Sequence, residues 1–327
     1  MRYRLLGRTG FRVSEIGYGG WGIGGGWGPR DDEEAMRALR RALDLGVNFF
    51  DTALGYGNGR SEQLIGQAVK GMRERVFIAT KIPPKTHRWP VLPHEPVSET
   101  FPADWVISCT EKSLKHLGSD YIDVQQLHAW TPAYTEQLDW YEGLMRLKEQ
   151  GKIRAFGVSA NDWDPYGPVG LVRSGLVDTV QVIYNIFEQR PAEQLLPAAL
   201  EHHVGIIVRV PFEEGLLTGQ IGPNHRFSED DWRRDWLTPE RLREVAPRIE
   251  ALKAFLGPDR PTLAALALKF VLSHPAVSTV IPGMSKVGHV EANCAVSDGK
   301  LLSGEELEAL RAHAFVHGWK YPWSQER

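Results

Sequence analysis

Four residues of this chain carry side chains suited to moving a proton in apolar surroundings: Asp51, Tyr56, Lys81 and His128. Asp51 closes the apolar run VNFF, and Tyr56 follows in the Gly-rich stretch ALGYGNG. A phenol has an ordinary pKa of about 10, so it hands over a proton at neutral pH only where its anion is stabilised. A cation must therefore lie nearby. Two later strand-like runs end in suitable groups, RVFIATK on Lys81 and YIDVQQLH on His128. An ammonium beside the phenol stabilises the phenolate, a carboxylate holds the ammonium, and an imidazole orients a carbonyl oxygen. Taken singly, each has a plainer reading: a turn-forming Asp, a solvated Lys, a His satisfied in the core. Their shared position at or just past the ends of three consecutive strands argues for one site, because parallel neighbours bring their C-terminal ends together.

The elements that must position them can be followed along the chain. The run 47–50 is β-branched and aromatic enough for a strand covered on both faces, and Gly55, Gly57 and Gly59 mark an irregular loop after it. The next segment, SEQLIGQAVK, takes Ser61 as its N-cap and carries Leu64, Ile65, Ala68 and Val69 at helical spacing. Residues 3–13 read as a short hairpin around the turn GRTG. Strands and helices then alternate: a helix over about 32–45, the strand to Asp51, a helix from Ser61, and the strand to Lys81. A helix over about 103–117, the His128 strand and a helix with Gly151 as C-cap follow. The runs IRAFGVSA, DTVQVIYN and GIIVRV are three more strands, and helices over about 239–255 and 263–272 precede a last strand around 278–281. With a first strand ahead of the Gly-rich stretch that ends at Gly28, these make eight strands, each followed by helix, and predict the α/β class: a parallel sheet closed as a (β/α)8 TIM barrel, one domain over 1–327. Loops 83–102, with six prolines, and 212–238, with Trp232 and Trp236, are long for such a fold. Both follow strand C-terminal ends and are expected over the active face.

One motif misleads. Gly17, Gly19 and Gly22 match G-x-G-x-x-G, but the dinucleotide fingerprint needs a helix opening at the motif and an acid roughly 20 residues on. Here glycines continue through Gly24, Gly25, Gly26 and Gly28, and Asp51 lies 29 residues past Gly22. The stretch is read instead as a loop after the first barrel strand, with Trp21 and Trp27 over the pocket mouth. No P-loop, H-E-x-x-H or paired C-x-x-C occurs, and no Tyr is followed four residues later by Lys. His202 and His203 are adjacent on a helix and make a poor metal pair, so no metal is expected. A barrel with a proton donor and no hydride source calls for a nicotinamide cofactor.

The words DTALGYG, ATK and QQLH, with the four residues they carry, resemble the aldo-keto reductase superfamily, and the resemblance spans nearly the whole chain. It implies a hairpin that plugs the barrel bottom, the tetrad Asp51, Tyr56, Lys81 and His128, NADPH (NADP) as cofactor, and an aldehyde or ketone as substrate. The carboxamide of the cofactor falls to Ser159 and Gln181, with Ala160 where the family has Asn and Asn161 one place on. The loop VPFEEGLLTG implies pyrophosphate contacts from Pro211, Phe212, Gly215, Leu216 and Thr218. Arg209 replaces the aromatic residue that often stacks on nicotinamide, and a guanidinium can stack or pair with a carboxylate. Gly20, Trp21 and Asp51 complete the cofactor set near its reactive end. The segment IPGMSKVGHVEAN resembles the adenosine-phosphate motif, with Gly283, Ser285, Lys286, His289 and Asn293. It lacks the arginine that many relatives carry near Ser285, so the implied preference for NADPH over NADH is moderate. Trp21, Trp27, Trp89 and Trp130 are taken as the substrate walls, with Tyr56 and His128 at the reacting end. Trp89, on loop 83–102, is expected to set substrate choice. The resemblance also takes in barrels that hold NADPH while regulating a membrane channel, so a binding subunit with little turnover stays open.

Composition agrees with a soluble enzyme of small molecules. The chain has 327 residues, 42% hydrophobic and 24% charged, enough for a sizeable core. A formal charge of -3 gives no reason to expect nucleic acid or an anionic membrane as partner. The only cysteines are Cys109 and Cys294, which argues for a reducing compartment. The segment MRYRLLGRTGFRV lacks an apolar signal core, and no run of about 18 apolar residues exists, so a cytoplasmic setting is expected.

Overall fold

A computed structural model describes residues 1–25, 31–162 and 164–319. Two strands, β1 (Tyr3–Leu5) and β2 (Arg12–Ser14), pair antiparallel around a 3₁₀ turn at Gly7–Thr9. Eight parallel strands follow: β3 (Tyr18–Gly19), β4 (Phe49–Asp51), β5 (Phe77–Ile82), β6 (Ile122–Leu127), β7 (Ile153–Ser159), β8 (Thr179–Ile183), β9 (Gly205–Arg209) and β10 (Val277–Val280). Each pairs with the next in sequence order. Parallel bridges Ile16↔Val280 and Gly19↔Gly283 join the first strand to the last and close the barrel. At that seam the Gly19 N–H donates to the Pro282 carbonyl at 3.0 Å. A Cβ on Gly19 would stand 2.6 Å from the Ile281 carbonyl oxygen, so the seam tolerates only glycine there.

The two faces of each strand serve different cores. Phe50, Ile78, Val158, Val180 and Val208 point outward and pack under the helices. Phe49, Ala79, Val124, Ala155, Ile207 and Ile281 point inward and meet Leu6, Phe11 and Val13 of the hairpin, which fills the barrel's lower end. The hairpin is fastened to the last βα unit: the Arg4 guanidinium donates to the carbonyls of Leu272 and Val277 at 2.8 and 3.1 Å. Above this apolar plug the inward positions turn polar. Asp51, Lys81, Gln126 and Arg209 follow two residues further along their strands and Ser159 four, and with Gln181 they form a layer at the upper end.

Helix boundaries follow local chemistry. The helix Asp32–Asp44 starts under the Asp31 carboxylate, which accepts from the Glu34 N–H at 2.8 Å, and buries Ala35, Ala38, Leu39 and Ala42. The helix Ala103–Leu117 stops at Gly118, whose φ of 59° is left-handed. Ser61 does not cap the next helix as its sequence suggests. Gly59 stands at the N-cap of Arg60–Ala68, and the buried Ser61 hydroxyl donates to the Gly20 carbonyl at 2.9 Å and accepts from Thr52. Loop 83–102 contains a helical turn at Val97–Thr100, and loop 212–238 contains turns at Leu216–Thr218 and Arg233–Trp236. Among the described residues, no helix is long and apolar enough to cross a membrane.

Candidate active site

The four residues singled out by their chemistry meet at the upper end of the barrel. Lys81 is fully buried and Asp51 is 2% exposed. The Lys81 ammonium donates to Asp51 Oδ1 at 2.5 Å, to the Thr52 carbonyl at 2.8 Å and to Tyr56 Oη at 3.2 Å. An ammonium has three N–H donors and no acceptor, so these bonds use it fully. Tyr56 Oη is therefore the acceptor in its bond with Lys81. The phenolic proton must point elsewhere.

Asp51 is held from its other side. Gln181 Nε2 donates to Asp51 Oδ2 at 2.8 Å, and Gln126 Nε2 lies 3.3 Å from the same oxygen. Gln126 was not among the residues read from sequence, although it shares the inward face of β6 with His128, two positions on. Gln181, expected at the cofactor carboxamide, donates an amide proton to Asp51. Ser159, expected at the same place, has a buried hydroxyl with no hydrogen-bond partner among the described residues. Asn161 donates to the Val91 carbonyl at 3.1 Å and so ties loop 83–102 to the loop after β7.

Electrostatics distribute the protons. Burial would lower the Lys81 pKa, but Asp51 and Tyr56 outweigh it, and the net direction is upward, so Lys81 stays charged. Burial raises the Tyr56 pKa and the Lys81 charge offsets only part of the rise. The resting phenol is thus neutral and stands above its ordinary value, where the sequence had suggested a lowered one. Lys81 still acts in the expected sense, since without it the phenolate would be less accessible. Burial, with Lys81 and Arg209 nearby, holds His128 well below the usual imidazole range. It is a neutral ring at physiological pH, able to hydrogen-bond a substrate but adding no charge.

The aromatic surroundings are uneven. Trp21, 37% exposed, meets the Tyr56 ring edge-on at 4.9 Å, and Tyr56 meets His128 at 5.6 Å. Trp21 opens a single helical turn, Trp21–Gly24, that the glycine content had argued against. A Cβ on Gly24 would stand 2.9 Å from the Tyr56 backbone, so this glycine lets the turn lie against the tyrosine. Trp89 lies 4.8 Å from His128. Trp27 lies outside the described residues. Trp130 is not a wall. It is fully buried and packs edge-on against Tyr134 at 5.8 Å and Trp140 at 5.3 Å, inside the packing below the loop.

The remaining candidates sit around this centre. Gly20 touches the Asp51 backbone, its N–H donating to the Asp51 carbonyl at 2.8 Å. Arg209 takes the second of the options open to it: it pairs with Asp162 at 2.7 Å. Pro211, Phe212, Gly215, Leu216 and Thr218 form the tight loop after β9, in which Val210, Glu213 and Glu214 adopt positive φ. Gly283 and Ser285 follow β10; Asn293 is buried, whereas Lys286 and His289 are exposed. Lys286 stands at the N-cap of Val287–Ala295 without capping it, and the Glu34 carboxylate accepts from the Val287 N–H at 3.0 Å in its place.

A closed parallel barrel with a buried Asp–Lys–Tyr chain and a neutral His at its upper end finds its counterparts among known proteins. Residues 15–314 match the family model described as the Aldo/keto reductase family. The aldo-keto reductase YhdN of Bacillus subtilis is 31% identical over 318 residues, covering 94% of this chain and 92% of its own. A probable voltage-gated potassium channel subunit beta of Arabidopsis thaliana is 30% identical over 320 residues, covering 91% and 92%. A solved aldo/keto reductase from Klebsiella pneumoniae, in complex with NADP and acetate, is similar at a TM-score of 0.70 and 26% identity, covering 98% of this chain and 99% of that one. The chain belongs to the aldo/keto reductase family and is an oxidoreductase.

Proposed function

We propose that this protein reduces an aldehyde or ketone to the alcohol with NADPH, Tyr56 supplying the proton. The observation that carries the reading is the hydrogen-bond count at Lys81. Its three donors are satisfied by Asp51, Thr52 and Tyr56, which leaves the Tyr56 proton free to be given to a carbonyl oxygen bound beside it. The residues also fit a nicotinamide. The partnerless buried Ser159 hydroxyl at the end of β7 is suited to a carboxamide, and the loop after β9 and the segment 283–293 are the stretches that the sequence resemblance assigns to the phosphates and the adenosine. When bound, the reduced nicotinamide supplies a hydride to the carbonyl carbon. His128 hydrogen-bonds the carbonyl oxygen, Tyr56 gives that oxygen its proton as the alkoxide develops, and Lys81 holds the resulting phenolate until water restores its proton.

The test is steady-state oxidation of NADPH across aromatic, aliphatic and sugar aldehydes. Turnover of any of them supports the reading. Tight NADPH binding with no turnover on the whole panel would favour a regulatory binding subunit, as the name of the Arabidopsis relative suggests for that protein.

For the choice between NADPH and NADH, Lys286 is the charged side chain best placed near the adenosine end, but it is exposed and Glu34 already sets a carboxylate at the same helix start. The expected preference for NADPH is therefore small. Lys286→Ala should weaken NADPH by no more than about tenfold and leave NADH nearly unchanged in a fluorescence titration. Equal losses for both would mean that Lys286 is a solvated surface charge.

A further inference from the structure

The proposed reaction assigns no step to the ion pair that Asp162, in the loop after β7, makes with Arg209 at the end of β9. Asp162 has a side chain 5% exposed, and its two oxygens serve two other elements. Oδ1 accepts from Arg209 Nη2 at 2.7 Å, at the end of β9. Oδ2 accepts from Trp89 Nε1 at 2.7 Å, from loop 83–102. Arg209 Nη2 also donates to the Ala160 carbonyl at 3.0 Å, and Asn161 holds the Val91 carbonyl of the same proline-rich loop. Three consecutive residues of the β7 loop thus fasten β9 on one side and loop 83–102 on the other.

A carboxylate this buried needs a cationic partner to remain ionised, and Arg209 is that partner. Once ionised, its second oxygen makes a charge-assisted bond with the indole N–H, shorter and stronger than a neutral acceptor would give. That bond fixes the plane of a ring whose centroid lies 4.8 Å from that of His128. We infer that Asp162 is a positioning residue that holds Trp89 against His128 and so sets substrate selectivity, with Arg209 keeping Asp162 in place. A fixed indole adds most to carbonyl compounds with a flat apolar body and little to those of two or three carbons. The inference rests on the catalytic reading of Tyr56 and His128.

The experiment is a double-mutant cycle between Asp162→Asn and Trp89→Phe, with benzaldehyde and propanal as substrates. Asparagine keeps the shape of the side chain but offers one oxygen to two donors. Asp162→Asn should lower kcat/KM for benzaldehyde about tenfold, mostly through KM, with a much smaller loss for propanal. Trp89→Phe, which removes the indole N–H and leaves the Arg209 pair intact, should show the same selectivity change, and the double variant should be no worse than Trp89→Phe alone. Additive losses, or equal losses for both aldehydes carried in kcat, would overturn the role of Asp162. A readout independent of turnover stands beside it: Asp162→Asn should change the near-UV circular dichroism, and the change should vanish in the Trp89→Phe background. A change that persists there overturns the inference even if no aldehyde is turned over. If Asp162→Asn does not fold, Trp89→Phe alone decides, and unaltered selectivity in it counts against the proposal. Failure of the wild-type protein to reduce any aldehyde would instead count against the catalytic reading, which the dichroism does not address.

Discussion

Tyr56→Phe is expected to lower kcat for carbonyl reduction by roughly a hundred- to ten-thousand-fold, the usual contribution of a positioned general acid. The substitution removes one oxygen and leaves the ring, which packs between Trp21 and His128. Cofactor affinity and thermal stability should therefore stay close to wild type. Lys81 loses one of three acceptors but keeps Asp51 and the Thr52 carbonyl, so its charge remains compensated. His128 cannot stand in for the missing acid, because burial and the neighbouring cations hold its pKa well below 6.5. A variant with near wild-type turnover would remove Tyr56 from the mechanism.

Lys81→Met should be harmful twice over. Methionine nearly matches the length of the lysine but donates no hydrogen bond, so the buried Asp51 carboxylate is left with only Gln126 and Gln181. Breaking a buried ion pair by removing one partner costs about 3–5 kcal/mol, which should lower the melting temperature by several degrees. Turnover should also fall steeply, since Lys81 is the larger of the two nearby charges, with Arg209, that oppose the effect of burial on the phenol. The two losses can be separated. Adding Asp51→Asn should restore much of the stability, because no uncompensated charge is then buried, and should restore none of the activity. A single variant both active and as stable as wild type would break the proposed pair.

Much of this was legible in the chain because strands announce themselves by composition and end at recognisable chemistry. The eight barrel strands and the meeting of Asp51, Tyr56, Lys81 and His128 follow from apolar runs that stop at polar residues. What escaped has physical reasons. Gln126 was readable from the alternation of β6, which points it the same way as His128, but a glutamine in a strand draws no attention without a partner in view. Asp162 had no such signal: it sits in a loop, and its partners are 47 and 73 residues away in sequence. Trp130 misled because alternation ends with the strand. Past Leu127 the backbone turns toward the 3₁₀ segment Pro132–Glu136, and the indole swings into the packing against Trp140. Ser61 was a sound cap by propensity, yet its hydroxyl has better partners in Thr52 and the Gly20 carbonyl.

The hairpin beneath the barrel has a consequence for how the protein is made. Leu6, Phe11 and Val13 find their place only against an inner wall that includes Ile207 and Ile281, and the seam of β3 needs Val280 and Gly283. Translation delivers these partners after most of the chain, on the order of tens of seconds later at roughly 5–20 residues per second. Until then β3 lacks its partner at the seam and the apolar hairpin lacks part of its inner wall, and both are prone to the wrong company. Closure must therefore wait until β10 has cleared the ribosome exit tunnel, and a chaperone that shields the early segment would act on the stage at which this fold is most exposed to aggregation.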